Sequence, residues 1–327
     1  MGLAVLELCA GGGGQALGLE AAGFESAAVV EIDTHSCNTL RFNRPKWHVI
    51  QSDIREISGR NFRGIGLFAA GVPCPPFSIA GKQLGRHDER DLFPEALRII
   101  EESRPPAVLL ENVPGLASNK FKTYRHGIAA ALSELGYEVR WATLSASDFN
   151  VPQLRPRFIV VALRARLSGR FAWPERLTRR PPTVGEAIGD LMAAGGWTGA
   201  EAWARKASGI APTIVGGSKK HGGPDLGPTR ARRQWASLGV DGLGIADEPP
   251  DRGFPSSAKP RLTIPMVARL QGFPDDWKFT GKKTAAYRQV GNAFPPPVAA
   301  QVGCALLEAL NATRTHLVRR SQPSLFA

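Results

Sequence analysis

Cysteine is scarce in this sequence, and its distribution excludes two common ways of stabilising a fold. The 327 residues include only four cysteines, and these are far apart. They form no Cys-x-x-Cys pair and show no Cys/His spacing typical of zinc ligands, so neither a disulfide framework nor a metal site is expected. The four are Cys9, Cys37, Cys74 and Cys304.

Long apolar runs are missing as well. No run of 18 apolar residues occurs, so the sequence predicts no membrane-spanning helix. The apolar residues that begin at Leu3 follow no basic segment, and they do not match a signal peptide. The location that these absences favour is the cytoplasm.

Acidic residues are outnumbered. The chain has 41 lysines and arginines against 29 aspartates and glutamates, a net charge of +12, and an isoelectric point near 10.0. This balance favours a polyanionic partner, of which nucleic acid is the commonest. A ribosome-bound protein, or a basic protein that is merely soluble, is the alternative. The hydrophobic content of 43% is enough for one large domain or two.

The first 22 residues follow a strand, glycine turn, helix pattern. Residues 4–8 are apolar and predict a buried strand, four glycines occupy positions 11–14, and residues 15–22 predict a helix. This is the unit that cradles a cofactor in a doubly wound sheet, because glycine lets the backbone approach the ligand. A glycine run alone is also typical of a flexible turn.

Acidic residues end the next two predicted strands. Glu31 follows strand 27–30 about twenty residues after the glycines, where an acid typically binds ribose hydroxyls. A solvated carboxylate is the alternative. The third strand, 47–50, ends near Asp53 and Ile54, which could hold an adenine edge and face, although Asp53 could equally cap a helix.

A cysteine between prolines follows the fourth predicted strand, residues 66–70. Pro73 and Pro75 hold Cys74 on a stiff extended loop, where a thiol is suited to nucleophilic attack. A small buried cysteine in a turn is the alternative. The fifth predicted strand ends at Glu111, and the usual strand order of such a sheet places it beside Cys74 and the glycine turn.

The second half of the chain changes composition. Arg155 and Arg157 alternate just before a predicted strand, so we expect them to share a face. Residues 193–260 are rich in glycine, proline and tryptophan and predict a loop-rich domain of short strands. Its two basic clusters, 218–221 and 230–233, favour either a nucleic-acid groove or a solvated surface. An apolar helix, 298–310, is expected to pack back on the sheet.

These segments together resemble the DNA cytosine-5 methyltransferase family of bacterial restriction–modification systems, over most of the chain and in the family's order. Two positions depart from the family pattern: Cys9 replaces the usual Phe, and Pro75 replaces the usual Gln. The motifs that carry the resemblance are Leu8-Cys9-Ala10-Gly11-Gly12-Gly13-Gly14, Pro73-Cys74, Glu111-Asn112-Val113, Gln153-Leu154-Arg155-Pro156-Arg157, Arg269-Leu270-Gln271-Gly272-Phe273-Pro274 and Gly291-Asn292.

The resemblance implies covalent catalysis on a cytosine flipped out of duplex DNA. Cys74 attacks carbon 6 of the ring, while Glu111 bonds ring N3 and the exocyclic amine. Carbon 5 takes the methyl group of S-adenosylmethionine, and loss of the carbon 5 proton expels the cysteine. Arg157 braces the pocket, with Arg155 nearby. No metal takes part.

The resemblance also implies an architecture and binding residues. A doubly wound, mostly parallel α/β sheet (Rossmann-like) is expected over residues 1–189 and 283–327, with a smaller loop-rich target-recognition domain over 190–282. The cofactor residues implied are Leu8, Cys9, Ala10, Gly11, Gly13, Gly14, Glu31, Ile32, Asp53, Ile54, Gly71, Pro73, Leu92, Asn292 and Ala293. The DNA-binding residues implied are Ser78, Lys82, Gln83, Arg86, Lys219, Lys220, Arg230, Arg232 and Arg233.

The partners implied are double-stranded DNA and a cognate restriction endonuclease, for a monomeric enzyme in the bacterial cytoplasm and nucleoid. The tail segment 322–326 resembles the QxxLF peptide that docks on the replication sliding clamp. Three alternatives stay open: an RNA (tRNA) cytosine-5 methyltransferase of the same fold, an NAD-dependent oxidoreductase sharing the glycine turn, and a non-catalytic DNA-binding protein.

Overall fold

The computed structural model of the protein describes residues 2–73, 91–217 and 223–311. Several sequence-predicted positions lie outside the described residues. These are Cys74, Ser78, Lys82, Gln83, Arg86, Lys219, Lys220 and the tail motif 322–326.

A seven-stranded sheet forms the centre of the fold, with the strand order β3-β2-β1-β4-β5-β8-β6. Strands β1 to β5 are parallel to one another, whereas β8 runs antiparallel to both β5 and β6. The predicted adjacency of the first, fourth and fifth strands is confirmed. The strands are β1 (Ala4–Leu8), β2 (Glu25–Glu31), β3 (Val49–Gln51), β4 (Leu67–Gly71), β5 (Ala107–Asn112), β6 (Tyr137–Ser145) and β8 (Pro156–Arg164), with a separate pair β7 (Gln153–Leu154) and β9 (Ala211–Pro212).

Helices cover both faces of the sheet, as an almost wholly buried parallel sheet requires. On one face, alternate strand residues such as Val5 and Leu109 pack against α1 and α11. On the other face, Leu6 and Val108 pack against α3 and α4. The helices are α1 (Gly14–Ala22), α2 (Thr34–Asn43), α3 (Phe93–Ser103), α4 (Lys122–Glu134), α5 (Ala165–Ser168), α6 (Val184–Ala193), α7 (Ala200–Lys206), α8 (Thr229–Ser237), α9 (Ile264–Leu270), α10 (Lys283–Asn292) and α11 (Pro296–Asn311).

The part of the chain expected to contain short strands consists mostly of loops, as expected, but its regular elements are mainly helices. Its described residues hold α7, α8 and the two-residue strand β9. Each of these helices has only about two turns, which is too short for a clear helical periodicity in the sequence. Trp203 and Trp235 are buried in an apolar cluster that also includes Ala16 and Leu40 of α1 and α2. The loop-rich part therefore belongs to the same apolar cluster as the first two helices.

The stretch Lys283–Asn311 is long and apolar enough to cross a membrane by length and composition, but 72% of its most apolar window is buried inside the protein. The stretch consists of α10 and α11, with a break at residues 293–295. The core helix of a soluble protein passes the same test, so the finding is weak evidence for a membrane span.

The contact between α1 and α11 depends on a glycine. A Cβ atom on Gly18 would lie 2.4 Å from the carbonyl oxygen of Pro296 and 2.5 Å from the Cβ of Ala299. We expect Gly18→Ala to lower the free energy of unfolding by about 1–3 kcal/mol, because the two helices must move apart. Gly127→Ala, on an open face of α4, should instead raise it by about 0.5–1 kcal/mol. Urea denaturation followed by circular dichroism measures both, and equal effects of the two substitutions would contradict the packing argument.

Candidate active site

The carboxyl ends of β1, β4 and β5 meet at one edge of the sheet. Gly71, the last residue of β4, pairs with Glu111 on β5. A Cβ atom built on Gly71 would lie 3.6 Å from the carbonyl oxygen of Cys9 and 3.7 Å from Oε2 of Glu111. The structure thus brings the glycine turn, the strand leading to Cys74 and the candidate carboxyl together, as the sequence predicted.

Glu111 faces an arginine from the antiparallel strand beside it. Nε of Arg157 lies 2.7 Å from Oε1 of Glu111, and both residues are 8% exposed. Burial raises the pKa of Glu111 above its ordinary value, although the positive charges of Arg157 and Arg155 oppose the increase. The carboxyl group therefore retains its proton at higher pH than an exposed glutamate does.

Asn112 orders the chain just before the candidate nucleophile. Its side-chain amide donates a hydrogen bond to the carbonyl oxygen of Val72 (3.1 Å) and accepts one from the backbone N–H of Val113 (2.8 Å). Val72 is two residues before Cys74. Asn112 thus connects the end of β5, which carries Glu111, to the segment that leads to the thiol.

Arg155 has different partners from Arg157, although only one residue separates them. Its side chain is 1% exposed and donates to the carbonyl oxygens of Ile214 (2.5 Å), Gly291 (2.7 Å) and Ala293 (3.0 Å). Three segments that are distant in the sequence therefore meet at one guanidinium group.

Two glutamines that sequence reasoning did not single out complete this arrangement. Gln153 donates to the carbonyl oxygen of Leu270 (3.1 Å) and to Oε1 of Gln271 (2.6 Å), and it accepts from the backbone N–H of Ile214 (2.9 Å). Gln271 donates in turn to the carbonyl oxygen of Ala293 (2.7 Å). We call Gln153, Arg155 and Gln271 the buried brace. The only sequence signal for the two glutamines was their place inside two of the motifs.

The glycine turn after β1 has the backbone that a cofactor cradle needs. Gly11 and Gly13 have φ angles of 54° and 88°, and a Cβ atom on Gly11 would meet nothing within 4 Å. Glu31 accepts hydrogen bonds from the backbone N–H groups of Gly11 (2.8 Å), Ile32 (2.9 Å) and Asp33 (2.8 Å). Glu31, at the end of β2, therefore holds the glycine turn in place, and the space beside Gly11 stays open.

Aromatic residues that the sequence analysis did not assign support the turn from the other side. The indole N–H of Trp277 donates to the carbonyl oxygen of Gly12 at 3.1 Å. A Cβ atom on Gly12 would lie 3.0 Å from the ring of Phe279, and one on Gly13 would lie 2.7 Å from Trp277. The density of aromatics in residues 273–279 was the available signal.

The other predicted cofactor residues lie on several different elements. The Asp53 carboxylate accepts from the backbone N–H of Arg55 at 3.0 Å, so it is an N-cap, which was the alternative interpretation of this residue. The remaining positions are as follows: Leu8 and Ala10 are buried at the end of β1, Ile32 is exposed after β2, Ile54 is buried, Leu92 is the residue before α3, and Asn292 and Ala293 end α10.

Cys9 lies in this region too, and its thiol has a different environment from that of a reactive cysteine. Burial, followed by the negative charges of Glu31, Asp53 and Glu7, raises the pKa of Cys9. A thiol held in its protonated form is a poor nucleophile. Among the residues that the structure describes, no group of three or more His, Cys, Asp or Glu side chains is placed to hold a metal ion.

The comparisons with known proteins agree on one family. The family model of C-5 cytosine-specific DNA methylase matches residues 3–308. The type II methyltransferase M.NaeI of Lentzea aerocolonigenes is 55% identical over 313 residues, covering 94% of this chain and 76% of the relative. The type II methyltransferase M.NgoMIV of Neisseria gonorrhoeae is 51% identical over 308 residues, covering 93% of this chain and 97% of the relative.

Solved structures with lower identity share the fold. A mutant of DNMT2 from Spodoptera frugiperda has a TM-score of 0.65 at 19% identity, covering 93% of this chain and 99% of that one. The methyltransferase EhMeth of Entamoeba histolytica has a TM-score of 0.66 at 15% identity, covering 97% of this chain and all of that one. At these identities the likeness is one of architecture alone.

The buried brace gives a prediction about Arg155. Lysine keeps the positive charge but cannot reach three carbonyl oxygens with a planar fork, so Arg155→Lys leaves buried acceptors without donors. We expect the free energy of unfolding to fall by about 2–4 kcal/mol. Arg166→Lys, on the surface, should change it by less than about 0.5 kcal/mol. If urea denaturation shows equal stability for both variants, the brace does not contribute as described.

Proposed function

The chain belongs to the C-5 cytosine-specific DNA methylase family, and from that premise we propose that Cys74, Glu111 and Arg157 carry its reaction. The protein is a DNA cytosine-5 methyltransferase of the type II restriction–modification kind, acting at a specific sequence. The family match decides against the oxidoreductase alternative that the glycine turn had left open. The observation that carries the residue assignment is the buried Glu111–Arg157 pair beside the strand that leads to Cys74.

Glu111 has the protonation behaviour that the ring of cytosine requires. Ring N3 accepts a hydrogen bond and the exocyclic amine donates one. A protonated carboxyl group offers one donor and one acceptor and so matches both. Burial raises the pKa of Glu111, which favours that protonated form, and Arg157 holds the second oxygen in place. Protonation of N3 draws electrons from carbon 6 and prepares it for attack.

Cys74 supplies the nucleophile in this proposal. Its thiolate adds to carbon 6, which makes carbon 5 electron-rich, and loss of the carbon 5 proton after methylation expels the thiolate again. Methyl transfer by this family implies S-adenosylmethionine, which supplies an activated methyl group when bound. The chain's own contribution is to hold the cytosine between Cys74 and Glu111 and to exclude water from the buried pair.

The residues at the glycine turn fit S-adenosylmethionine. The open space beside Gly11, with its positive φ angle, admits a ligand that a side chain would block. We assign the ribose to Glu31 and the adenine to Asp53 and Ile54, with Asn292 closing the site. The carboxylate of Glu31 already accepts three backbone N–H groups, so any contact with the ribose uses its remaining lone pairs.

Arg155 takes a positioning role in this proposal. Its side chain donates to three backbone carbonyl oxygens and to the side-chain oxygen of Gln153, so we infer that it acts through the segments that it holds rather than through the base. Ala293 and Gly291, two of its acceptors, border the cofactor residue Asn292. Arg155 thereby connects the strand that carries Arg157 to the candidate cofactor site.

The partners and the domain division are also proposals. Basic composition and family membership support duplex DNA as the substrate, and we assign its recognition to residues 190–282, with residues 1–189 and 283–327 as the catalytic part. A cognate restriction endonuclease would complete the system that type II relatives belong to. The QxxLF-like segment 322–326 is proposed to dock on a sliding clamp, since a Leu-Phe pair can fill a small apolar pocket.

The first test of the proposal replaces the nucleophile. Cys74→Ala should lose methyl transfer to duplex DNA completely while retaining DNA affinity, because phosphate contacts do not involve the thiol. Duplex DNA with 5-fluorocytosine at the target should form a covalent adduct with the wild-type protein only. Cys304→Ala, an exposed cysteine on α11, serves as the control. Turnover by the alanine variant at position 74 would refute the assignment.

A second test concerns the proton on Glu111. We expect Glu111→Gln to lower kcat by at least about 100-fold, because an amide cannot transfer a proton to N3, and to leave S-adenosylhomocysteine affinity within about twofold. Since the active form is protonated, the wild-type rate should fall as pH rises through the raised pKa of Glu111. That decline should be missing in the variant. Glu101→Gln, exposed on α3, should behave as wild type; an unchanged kcat at position 111 would remove Glu111 from the mechanism.

A further inference from the structure

Leu243 is an exposed apolar residue in an otherwise anchored turn. Its side chain is 64% exposed, whereas Val240 and Ile245 on either side are buried in the apolar cluster around Trp235. The backbone N–H of Val240 donates to the carbonyl oxygen of Trp235, and the backbone N–H of Ala246 donates to the carbonyl oxygen of Leu262. The exposure of Leu243 is therefore a property of a fixed turn and not of a loosely held segment.

Hydrogen bonds to Asp241 and Gly242 fix the backbone beside Leu243. The carboxylate of Asp241 accepts from the backbone N–H of Leu243 at 2.9 Å and from Nε of Arg261 at 2.7 Å. The carbonyl oxygen of Gly242 accepts from the backbone N–H of Leu226 at 3.0 Å. We call residues 241–244 the Leu243 turn.

Arginines lie on both sides of the Leu243 turn. A Cβ atom on Gly242 would lie 3.2 Å from Cγ of Arg232, and one on Gly244 would lie 3.2 Å from Nη1 of Arg261. Arg230 and Arg233 are exposed on the same helix as Arg232, and no ion pair to these three arginines is present in the described ranges. Arg261 is paired with Asp241 of the turn, so the positive charge that remains beside Leu243 comes from the arginines of α8.

A short series of contacts connects this turn to the candidate active site. Leu226 donates its backbone N–H to Gly242 of the turn. The residue before it, Asp225, accepts a hydrogen bond on its carbonyl oxygen from the hydroxyl of Tyr287 at 2.6 Å. Tyr287 is one helical turn before Gly291 on α10, and Gly291 is held by Arg155. The Leu243 turn is thus connected to Arg155 through Asp225 and α10.

We propose that the Leu243 turn enters a groove of the DNA duplex, with Leu243 contacting base edges and the arginines of α8 binding phosphates. Polyanionic DNA is the occupant that this combination fits, because apolar side chains contact base edges or base steps while arginine neutralises the backbone. The inference rests on the proposed function, since it needs duplex DNA as the substrate.

The experiment compares Leu243→Ala with Phe42→Ala. Phe42 on α2 is also 64% exposed and supplies a matched control on another part of the surface. We expect Leu243→Ala to lower kcat/KM by about tenfold on an unmethylated duplex that contains the sequence methylated by the wild type, in line with the loss of one base contact. The affinity of Leu243→Ala for S-adenosylhomocysteine and for non-specific duplex at low salt should not change. Leu243→Met, which keeps a long apolar side chain, should retain most of the wild-type rate.

Salt dependence separates the arginines from the leucine. Arg232→Gln should weaken binding to every duplex alike and reduce the slope of log affinity against log salt by about 1. Leu243→Ala should leave that slope unchanged. Equal kcat/KM values for Leu243→Ala and Phe42→Ala would overturn the inference. A change in oligomeric state alone on Leu243→Ala would also overturn it, because the turn would then contact a second copy of the chain.

The wild-type protein distinguishes this inference from the function on which it depends. Bisulfite sequencing of duplex treated with the wild type must show methylated cytosine for the comparison to apply. A wild type that methylates no duplex would refute the proposed function itself. An active wild type with unaffected Leu243→Ala would refute only the role of the turn.

Discussion

The buried guanidinium of Arg155 is the constraint on which the arrangement of this site depends. A positive charge in an apolar interior is costly unless its donors are satisfied. Here the acceptors are backbone carbonyl oxygens of Ile214, Gly291 and Ala293, which come from two segments remote from each other in the sequence. These three hydrogen bonds therefore fix the strand before Arg157, the segment around β9 and the end of α10 relative to one another. Gln153 and Gln271 add further bonds among the same segments.

The same burial sets the electrostatics of the candidate active site. Desolvation lowers the pKa of both Arg155 and Arg157, and it raises that of Glu111. The positive charge of Arg157 opposes this increase at close range, since little water lies between the two groups to screen it. A site arranged in this way before the base arrives needs little reorganisation during the reaction, which is the condition under which fixed dipoles and charges contribute most to catalysis.

Much of the scaffold could be predicted because its signals are local. Apolar runs of four or five residues marked β1, β4 and β5, and the order rule for doubly wound sheets then placed Gly71 beside Glu111. The helices α7 and α8 could not be predicted in this way, because seven to nine residues show too little periodicity. Trp277 and Phe279 were missed for a related reason: they support the glycine turn across more than 260 residues of chain.

The sequence by itself determined the family, the sheet and the identity of the reactive residue types, since motifs and strand patterns lie within short stretches of chain. Only the tertiary structure decided what each of those residues contacts. Arg155 and Arg157 looked alike as alternate residues before one strand, yet one binds backbone carbonyl oxygens and the other pairs with Glu111. The difference arises because their partners lie 46 to 138 positions away along the chain, and packing alone brings such distant groups within hydrogen-bonding distance.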